Sequence, residues 1–342
     1  MAQRGTMPLN YQRPGPPREW SQQVRRRRGR PGRVFLSILL VIVLFLIGFA
    51  IYLDFSLKRT NAFSDYAGRP AAGAGTNWLL VGSDSRQGLS ASQEAQLSTG
   101  DADGGRTDTM MLMHIPSGSG KPTLVSLPRD SYVPIPGHGR NKLNAAFAFG
   151  GPQLLTRTVE EATGLRIDHY AEIGFEGFVG VVDAVGGVNI CVDQPLKDPA
   201  AGLNLSPGCQ DLNGTQALGY VRTRHLYARQ DLDRIQHQRE FLSALLSKAT
   251  SVGVLANPFR LFPLATNSVD TLTVDNGDHI WNLAGLAFAL GGNGSTTGTV
   301  PIGSTQTISG VGSVVLWDKT KSKQLFDDFR QDSTVPDGLL SK

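Results

Sequence analysis

The stretch Trp78-Leu79-Leu80-Val81-Gly82-Ser83-Asp84-Ser85-Arg86 joins a short apolar run directly to a cluster of polar and charged residues. An apolar run of this length that ends at glycine and serine indicates a buried β-strand. In α/β folds, ligands bind at the ends of such strands. We therefore predict a strand that delivers the carboxylate of Asp84 and the guanidinium of Arg86 to a ligand site.

Four further clusters have the same placement beside an apolar strand-like or helical run. They are Arg106-Thr107-Asp108-Thr109, Pro128-Arg129-Asp130, Arg222-Thr223-Arg224 and Asp231-Leu232-Asp233-Arg234. Arginine presents a planar fork of donors that pairs two phosphate oxygens, and carboxylates supply the hard oxygens that Mg2+ prefers. Together the five clusters predict a site for a diphosphate and a divalent cation.

The acidic residues of these clusters are candidate metal ligands. Asp84 and Asp108 lie at the ends of two predicted strands and could share one Mg2+. For either residue alone, an Asx turn at the strand end is the simpler explanation. Asp108 is also the candidate general base, although ligation of a metal competes with that role.

The arginines are candidate phosphate ligands. Arg129 ends an apolar run, and Arg222 and Arg224 would point to the same side of an extended segment. Arg234 opens a helical pattern whose N-terminus favours an anion. Each of these arginines alone would more simply be a solvated surface residue, so the prediction requires that they converge. We expect Arg224 to be essential for catalysis.

Apolar strand-like runs alternate with helical patterns along the chain. The runs cover residues 78–81, 110–115, 123–127 and 187–192, and the helical patterns cover 151–163, 175–185 and 232–248. Such alternation predicts a layered α/β fold. Residues 89–105 are small and polar and predict a mobile loop, whereas the glycine-rich residues 291–312 give no assignment.

One apolar segment predicts a membrane anchor. Residues 34–53 carry no charge and match the roughly 20 residues that cross a bilayer as a helix. A cleavable signal peptide is the alternative, but its apolar region would be shorter, about 7–15 residues. The preceding arginine run, residues 25–33, predicts a cytoplasmic N-terminus and places the rest of the chain outside the membrane.

Charge and composition divide the chain further. The first 33 residues contain nine Arg and one Glu and predict a disordered basic tail, while the remaining chain has 24 basic and 28 acidic side chains. A basic tail beside a membrane indicates orientation and contact with anionic lipid rather than nucleic-acid binding. We expect a linker over 54–75, one folded domain over 76–330 and a C-terminal tail over 331–342.

Cys191 and Cys209, the only two cysteines, fall in the predicted exported part and could form a disulfide, although two free buried thiols are an alternative.

The chain lacks the phosphate-binding loop of nucleotide hydrolases, the dinucleotide fingerprint, the serine elbow and the His-Glu-x-x-His zinc motif. Apolar residues around 145–149 and 175–182 exceed one helix stripe and suggest a groove, although core packing explains them as well.

The linked motifs resemble the LytR-CpsA-Psr family over about residues 78–246. The resemblance includes the string Lys142-Leu143-Asn144-Ala145-Ala146-Phe147 and the segments 182–188 and 212–222. It implies an αβα layered domain with a central mixed sheet, in which a hydrophobic tunnel holds a polyprenyl diphosphate. By motif position it implies Asp84 and Asp108 as Mg2+ ligands. The implied diphosphate ligands are Arg86, Arg106, Arg129, Arg222, Arg224 and Arg234.

Members of this family are similar in transferring a glycopolymer from that lipid to peptidoglycan through a phosphodiester. The His237-Gln238-Arg239 sequence departs from the Arg-Gln-Gln that the family often carries there. The paired cysteines and basic tail are similar to actinobacterial members, which implies arabinogalactan or a related glycan. Two rival functions are a polyprenyl diphosphate hydrolase and a non-enzymatic membrane-bound regulator or lipid-binding module.

Overall fold

A computed structural model describes residues 31–84, 107–223, 231–291, 295–336 and 338–341. The strands are β1 (Lys58–Thr60), β2 (Thr76–Ser83), β3 (Thr107–Ile115), β4 (Thr123–Ser126), β5 (Tyr132–Ile135), β6 (Gly139–Lys142), β7 (His169–Ile173), β8 (Val188–Val192), β9 (Leu196–Asp198), β10 (Leu203–Leu205), β11 (Gly208–Leu212), β12 (Leu272–Asp275), β13 (Thr296–Thr299), β14 (Ile302–Ile308) and β15 (Gly312–Trp317). The helices are α1 (Pro31–Ser56), α2 (Leu143–Thr163), α3 (Phe175–Ala184), α4 (Gly214–Arg222), α5 (Asp231–Ala249), α6 (Val252–Leu255), α7 (Pro258–Thr271), α8 (Ile280–Gly291) and α9 (Lys319–Arg330).

The central sheet is mixed and has the strand order β1-β12-β7-β2-β3-β4-β13. β2 runs parallel to β7 and antiparallel to β3, which in turn pairs antiparallel with β4. β13 extends the sheet beside β4 in a parallel register. The predicted α/β class with a mixed central sheet is confirmed.

Side chains of β2 and β3 alternate between the two faces of this sheet. Leu79 pairs with Leu112, and both are fully buried in the core that α2 and α9 complete. Trp78 pairs with Met113, and both belong to a second core that contains residues of α7 and α8. Because successive side chains of a strand point to opposite faces, one apolar run supplies both cores.

A smaller β region follows α3. β8 pairs with β11 and β9 pairs with β10, both antiparallel. Cys191 and Cys209 lie directly opposite one another on β8 and β11 and form the disulfide that the sequence left open. A third core, which includes Tyr220 of α4 and Phe241 of α5, joins this region to the helices that flank it.

The predicted boundaries of the folded domain need correction at both ends. Residues 54–75 are not only a linker, because β1 pairs with β12 and Ala62 is fully buried. Arg69 donates to the buried Glu160 of α2 over 3.0 Å. Leu339, expected in a C-terminal tail, is also buried in the core. Small residues and glycine suit an extended chain, and an extended chain can pair and pack as well as hang free.

Helix α1 is long and apolar enough to cross a membrane, and it is the one such helix in the described ranges. Its candidate span, Gly32–Ser56, is 25 residues long, against the roughly 20 that a bilayer requires. The chain divides into two compact units at this helix, one ending at Ile47 and the other beginning at Gly48.

Candidate active site

The two carboxylates that the sequence predicts as metal ligands come from one end of the β2–β3 pair. Ser83, the last residue of β2, pairs with Thr107, and the register shifts by one residue between Gly82 and Ser83. A bulge of this kind re-aims side chains at the end of a ladder. Asp84 follows β2 directly, and Asp108 is the second residue of β3. The backbone therefore brings both carboxylates to the same edge of the sheet.

Arg129 is held between two carboxylates at this edge. Its Nη1 donates to Oδ1 of Asp108 over 2.7 Å, and its Nε donates to Oδ2 of Asp130 over 3.4 Å. Asp130 is also paired with Lys142, whose Nζ lies 2.8 Å from its other oxygen. All four side chains are between one-seventh and one-third exposed. The guanidinium of Arg129 is thus fixed in place, and these four side chains remain accessible to a ligand.

Arg222 approaches the same region from the helical side. It is the last residue of α4, and its guanidinium carbon lies 4.9 Å from the centre of the Phe175 ring. The next residue, Thr223, donates its hydroxyl to Asp198 over 2.8 Å and so fixes the end of the helix. At the other end of α4, the side chain of Asn213 caps the backbone N–H of Gln216.

Asp108 and Arg222 line one cavity of about 260 Å³. Its floor is the central sheet, and its walls come from α3, α4, α5 and α8. The polar lining residues are Ser83, Asp108, Thr109, Arg222 and Gln238. The apolar ones include Leu80, Met111, Phe175, Phe178, Phe241, Leu283 and Leu286.

The lining of this cavity changes from apolar to polar along its length. Leu80 and Met111 pair across β2 and β3, and two residues further on Gly82 pairs with Thr109 next to Asp108. One end of the cavity is therefore apolar, and the other carries a carboxylate and a guanidinium. This arrangement suits a ligand with a long apolar chain and an anionic head group.

A second, more polar cavity of about 290 Å³ shares Ser83 and Gly174 with the first. Glu172, Glu176 and Lys58 also line it. The Tyr170 hydroxyl donates to Glu172 over 2.8 Å. Burial, and then the neighbouring carboxylate, raises the pKa of Tyr170 well above its ordinary value, so the phenol keeps its proton for that bond. The second cavity therefore brings carboxylates beside the head-group end of the first.

A known protein family matches this chain over most of its length. The LytR_cpsA_psr family model matches residues 55–324. The chain belongs to the LytR_cpsA_psr family.

Individual members of this family show how similar the chain is to them. A probable cell wall biosynthesis protein, LcpB of Corynebacterium glutamicum, is 52% identical over 328 residues, which cover 93% of this chain and 77% of that protein. The polyisoprenyl-teichoic acid–peptidoglycan teichoic acid transferase TagU of Oceanobacillus iheyensis is 36% identical over 201 residues, 57% of this chain and 58% of TagU. The chain thus spans little more than half of TagU.

A solved structure of TagT bound to LI-WTA superimposes with a TM-score of 0.58. It is 25% identical and covers 79% of this chain and 93% of TagT. The match extends over most of the domain that carries the cavity.

Of the predicted site residues, Asp108 and Arg222 line the cavity. Arg129 is paired with Asp108, and Asp84 directly follows Ser83, which also lines the cavity. Arg86, Arg106 and Arg224 lie outside the described residues, as does the predicted loop over 89–105. Arg234 lies on α5 as predicted, but only the backbone of that turn is described.

Several residues of the site were not predicted from the sequence. Lys142 pairs with Asp130, and its place in a family-like string was the only signal. Leu283 and Leu286 come from the uncharged helix α8, which the sequence analysis did not assign. The suggested groove is present in part, since Phe175 and Phe178 line the cavity while Val182 packs in the core.

Asp84 and Asp108 are the described residues that could hold a divalent cation. No group of three or more His, Cys, Asp or Glu side chains suited to a metal occurs within the ranges that the structure describes. Mg2+ is commonly held by one or two carboxylates together with substrate phosphate and water. Asp108 lines the cavity and Asp84 follows the neighbouring end of β2, so the two carboxylates fit that donor set.

Proposed function

We propose that this protein is a membrane-anchored transferase that moves a glycopolymer from a polyprenyl diphosphate carrier to peptidoglycan. The observation that carries this proposal is that the apolar walls of one cavity end at Asp108 and Arg222. The names of its relatives support the same class of reaction, because one is a cell wall biosynthesis protein and another a teichoic acid transferase.

In this proposal each part of the cavity has a distinct task. The apolar walls hold the prenyl chain, and the guanidiniums of Arg129 and Arg222 hold the diphosphate oxygens. An acceptor hydroxyl oxygen forms a bond to the phosphorus that carries the glycan. The bond from that phosphorus to the bridging oxygen breaks, and the prenyl monophosphate leaves.

Electrostatic stabilisation would supply most of the rate. Positive groups fixed around the diphosphate stabilise charge that develops on the leaving phosphate without having to reorganise. Asp84 and Asp108 would hold Mg2+, which would supply further positive charge to the diphosphate. Asp108 accepts a hydrogen bond from Arg129, and it is the candidate acceptor of the hydroxyl proton, a role that competes with holding the cation.

The acceptor would approach through the polar cavity that contains Glu172 and Glu176. That cavity shares Ser83 and Gly174 with the lipid cavity, so it opens at the head-group end. Carboxylate oxygens accept hydrogen bonds from sugar hydroxyls. We propose arabinogalactan or a related glycan as the transferred polymer, as the resemblance to actinobacterial members implies.

We also propose that the N-terminus is cytoplasmic and that α1 is a single anchor. The arginines of residues 25–33 precede the apolar span directly, and basic residues are retained on the cytoplasmic side. The catalytic domain then lies outside, where the Cys191–Cys209 disulfide is stable.

The decisive experiment supplies detergent-solubilised full-length protein with a lipid-linked glycan donor, with and without peptidoglycan. A transferase forms glycan-linked peptidoglycan and releases prenyl monophosphate only when the acceptor is present. A hydrolase would release the same lipid product at the same rate in both samples. Mass spectrometry of both lipid and peptidoglycan distinguishes the two.

The regulator hypothesis is tested by deleting residues 1–24. A protein that acts through cytoplasmic partners would lose its function, whereas a transferase would keep its turnover. Lipid that co-purifies with the protein, identified by mass spectrometry, gives an independent test of the cavity.

A further inference from the structure

Helices α6, α7 and α8 expose large apolar side chains to an unusual extent. We define the α6–α8 apolar face by Val252, Leu255, Phe259, Trp281 and Phe288, which are 80%, 50%, 89%, 62% and 81% exposed. Charged residues are scarce in the segments that form this face. Residues 249–269 contain one charged residue, Arg260, and helix α8 contains none. Scattered apolar residues on a surface need no explanation, but a set spread over three successive helices does.

The position of this face is fixed by the end of α1. The Phe49 ring packs edge-on against Phe262 of α7, with ring centres 4.8 Å apart. Leu53 is 6% exposed and belongs to the same core as Leu283 of α8. Both Phe49 and Leu53 fall in the uncharged stretch of residues 34–53, which is just long enough to cross a bilayer. The parts of α7 and α8 that contact them must therefore lie at the membrane surface.

The boundary between lipid and water is marked by Asp54, the first charged residue after the apolar stretch. Its carboxylate accepts from the backbone N–H of Ile280 over 2.9 Å and is paired with His279. Trp281 stacks on His279 with ring centres 4.3 Å apart. Tryptophan is enriched at this level of a membrane because its ring is apolar and its N–H is polar.

We propose that the α6–α8 apolar face is immersed in the outer surface of the bilayer, so that the catalytic domain contacts lipid through its own helices as well as through α1. The inference rests on the membrane anchor of the proposed function. Helix α8 then has lipid on one side, at Phe288, and the cavity on the other, at Leu283 and Leu286. A single helix separates the bilayer from the cavity that we assign to the prenyl chain.

The test measures the depth of single spin labels in the full-length protein. Phe259→Cys, Phe288→Cys and, as a control on α9, Lys323→Cys each introduce one thiol, because the two native cysteines are joined in a disulfide. Each labelled protein is reconstituted into vesicles of phosphatidylglycerol and phosphatidylcholine. The collision rates of each label with molecular oxygen and with a water-soluble nickel chelate are then compared, and no substrate is required.

We expect labels at positions 259 and 288 to collide mainly with oxygen, which concentrates in hydrocarbon. The label at position 323, whose native side chain is 76% exposed, should collide mainly with the nickel chelate. If positions 259 and 288 respond like position 323, the proposal is wrong. It is equally wrong if both reagents are excluded there and spin–spin broadening disappears on dilution with unlabelled protein, because a second copy would then cover the face.

These outcomes are independent of the proposed reaction. A protein that proves inactive as a transferase can still place both labels in lipid, and an active one can leave them in water. Melting temperatures of the three variants, measured by circular dichroism, should equal that of the parent protein, because all three side chains are largely exposed.

Discussion

The two faces of the central sheet are built from the same strands but differ in how they are packed. On one face, Leu79 and Leu112 meet α2 and α9 and have no exposed surface. On the other, their neighbours Leu80 and Met111 line a cavity of about 260 Å³ beneath α3, α4, α5 and α8. We call these the closed face and the open face.

The strand sequence determines which side chains are buried. The helices that cover each face determine whether the space above the strands is filled with side chains. Helix α2 brings Leu155 and Val159 directly onto the closed face. On the open face, the walls leave a gap that ends at charged residues. In the proposed function, the prenyl chain of the donor occupies this space.

The largest effect on activity is expected at the polar end of the open face. Arg222→Ala should lower transfer by about 10²–10³-fold, because a fixed positive group at the diphosphate is lost. Arg140→Ala is the matched control, since that guanidinium also lies 4.9 Å from an aromatic ring, that of Tyr132, but outside the cavity. Equal activity of the two variants in the donor assay would contradict the assignment.

Truncating one side chain to alanine on each face should lower the free energy of unfolding by different amounts. Leu112→Ala removes a fully buried side chain from the closed face and should lower the free energy of unfolding by about 3 kcal/mol. Met111→Ala enlarges a cavity that already exists and should cost about 2 kcal/mol, the lower limit for such a substitution. Denaturant unfolding of the two variants measures the difference. Equal losses would mean that both faces are equally well packed.

An added side chain should have opposite consequences on the two faces. Ala171→Phe fills part of the cavity and should lower lipid loading and transfer by about tenfold while the protein still folds. Ala146→Phe places the same ring in the closed core and should lower the free energy of unfolding by roughly 1–3 kcal/mol or more. Mass spectrometry of bound lipid and a melting curve report the two effects. Unchanged lipid loading in Ala171→Phe would argue against the cavity as the lipid site.

The smallest effect is expected in the adjoining polar cavity. Glu176→Gln keeps the shape of a lining residue but removes a charged acceptor, and we expect a severalfold rise in the KM for peptidoglycan. The KM for the lipid donor should not change, because Glu176 does not line the lipid cavity. A rise in the donor KM instead would place the acceptor elsewhere.

The strands and the polar end of the site could be predicted because their signals are local. An apolar run that stops at Gly82-Ser83-Asp84 determines both β2 and the position of its carboxylate. Asp108 lies at the start of β3, and Arg129 follows the end of β4. Because these strands are antiparallel, the two residues meet at the same edge of the sheet. Family-like motifs then indicated which ligand these charges would meet.

The remaining features depend on contacts that periodicity does not report. β13 is a four-residue strand that contains three threonines and a glycine, and only its parallel pairing with β4 identifies it. β1 is shorter still, with three residues, and lies in a segment of linker-like composition. The cavity itself was open to two explanations, because an apolar face reads the same in sequence whether or not another side chain fills the space beside it.

The Cys191–Cys209 bond links β8 to β11, and β11 leads directly into the capped helix that ends at Arg222. Both cysteines are exposed, so oxidants and thiol reductants in the surrounding solution can reach the bond after the chain has folded. The wall that presents Arg222 is therefore braced by a covalent bond that a change in the redox state of the solution can break.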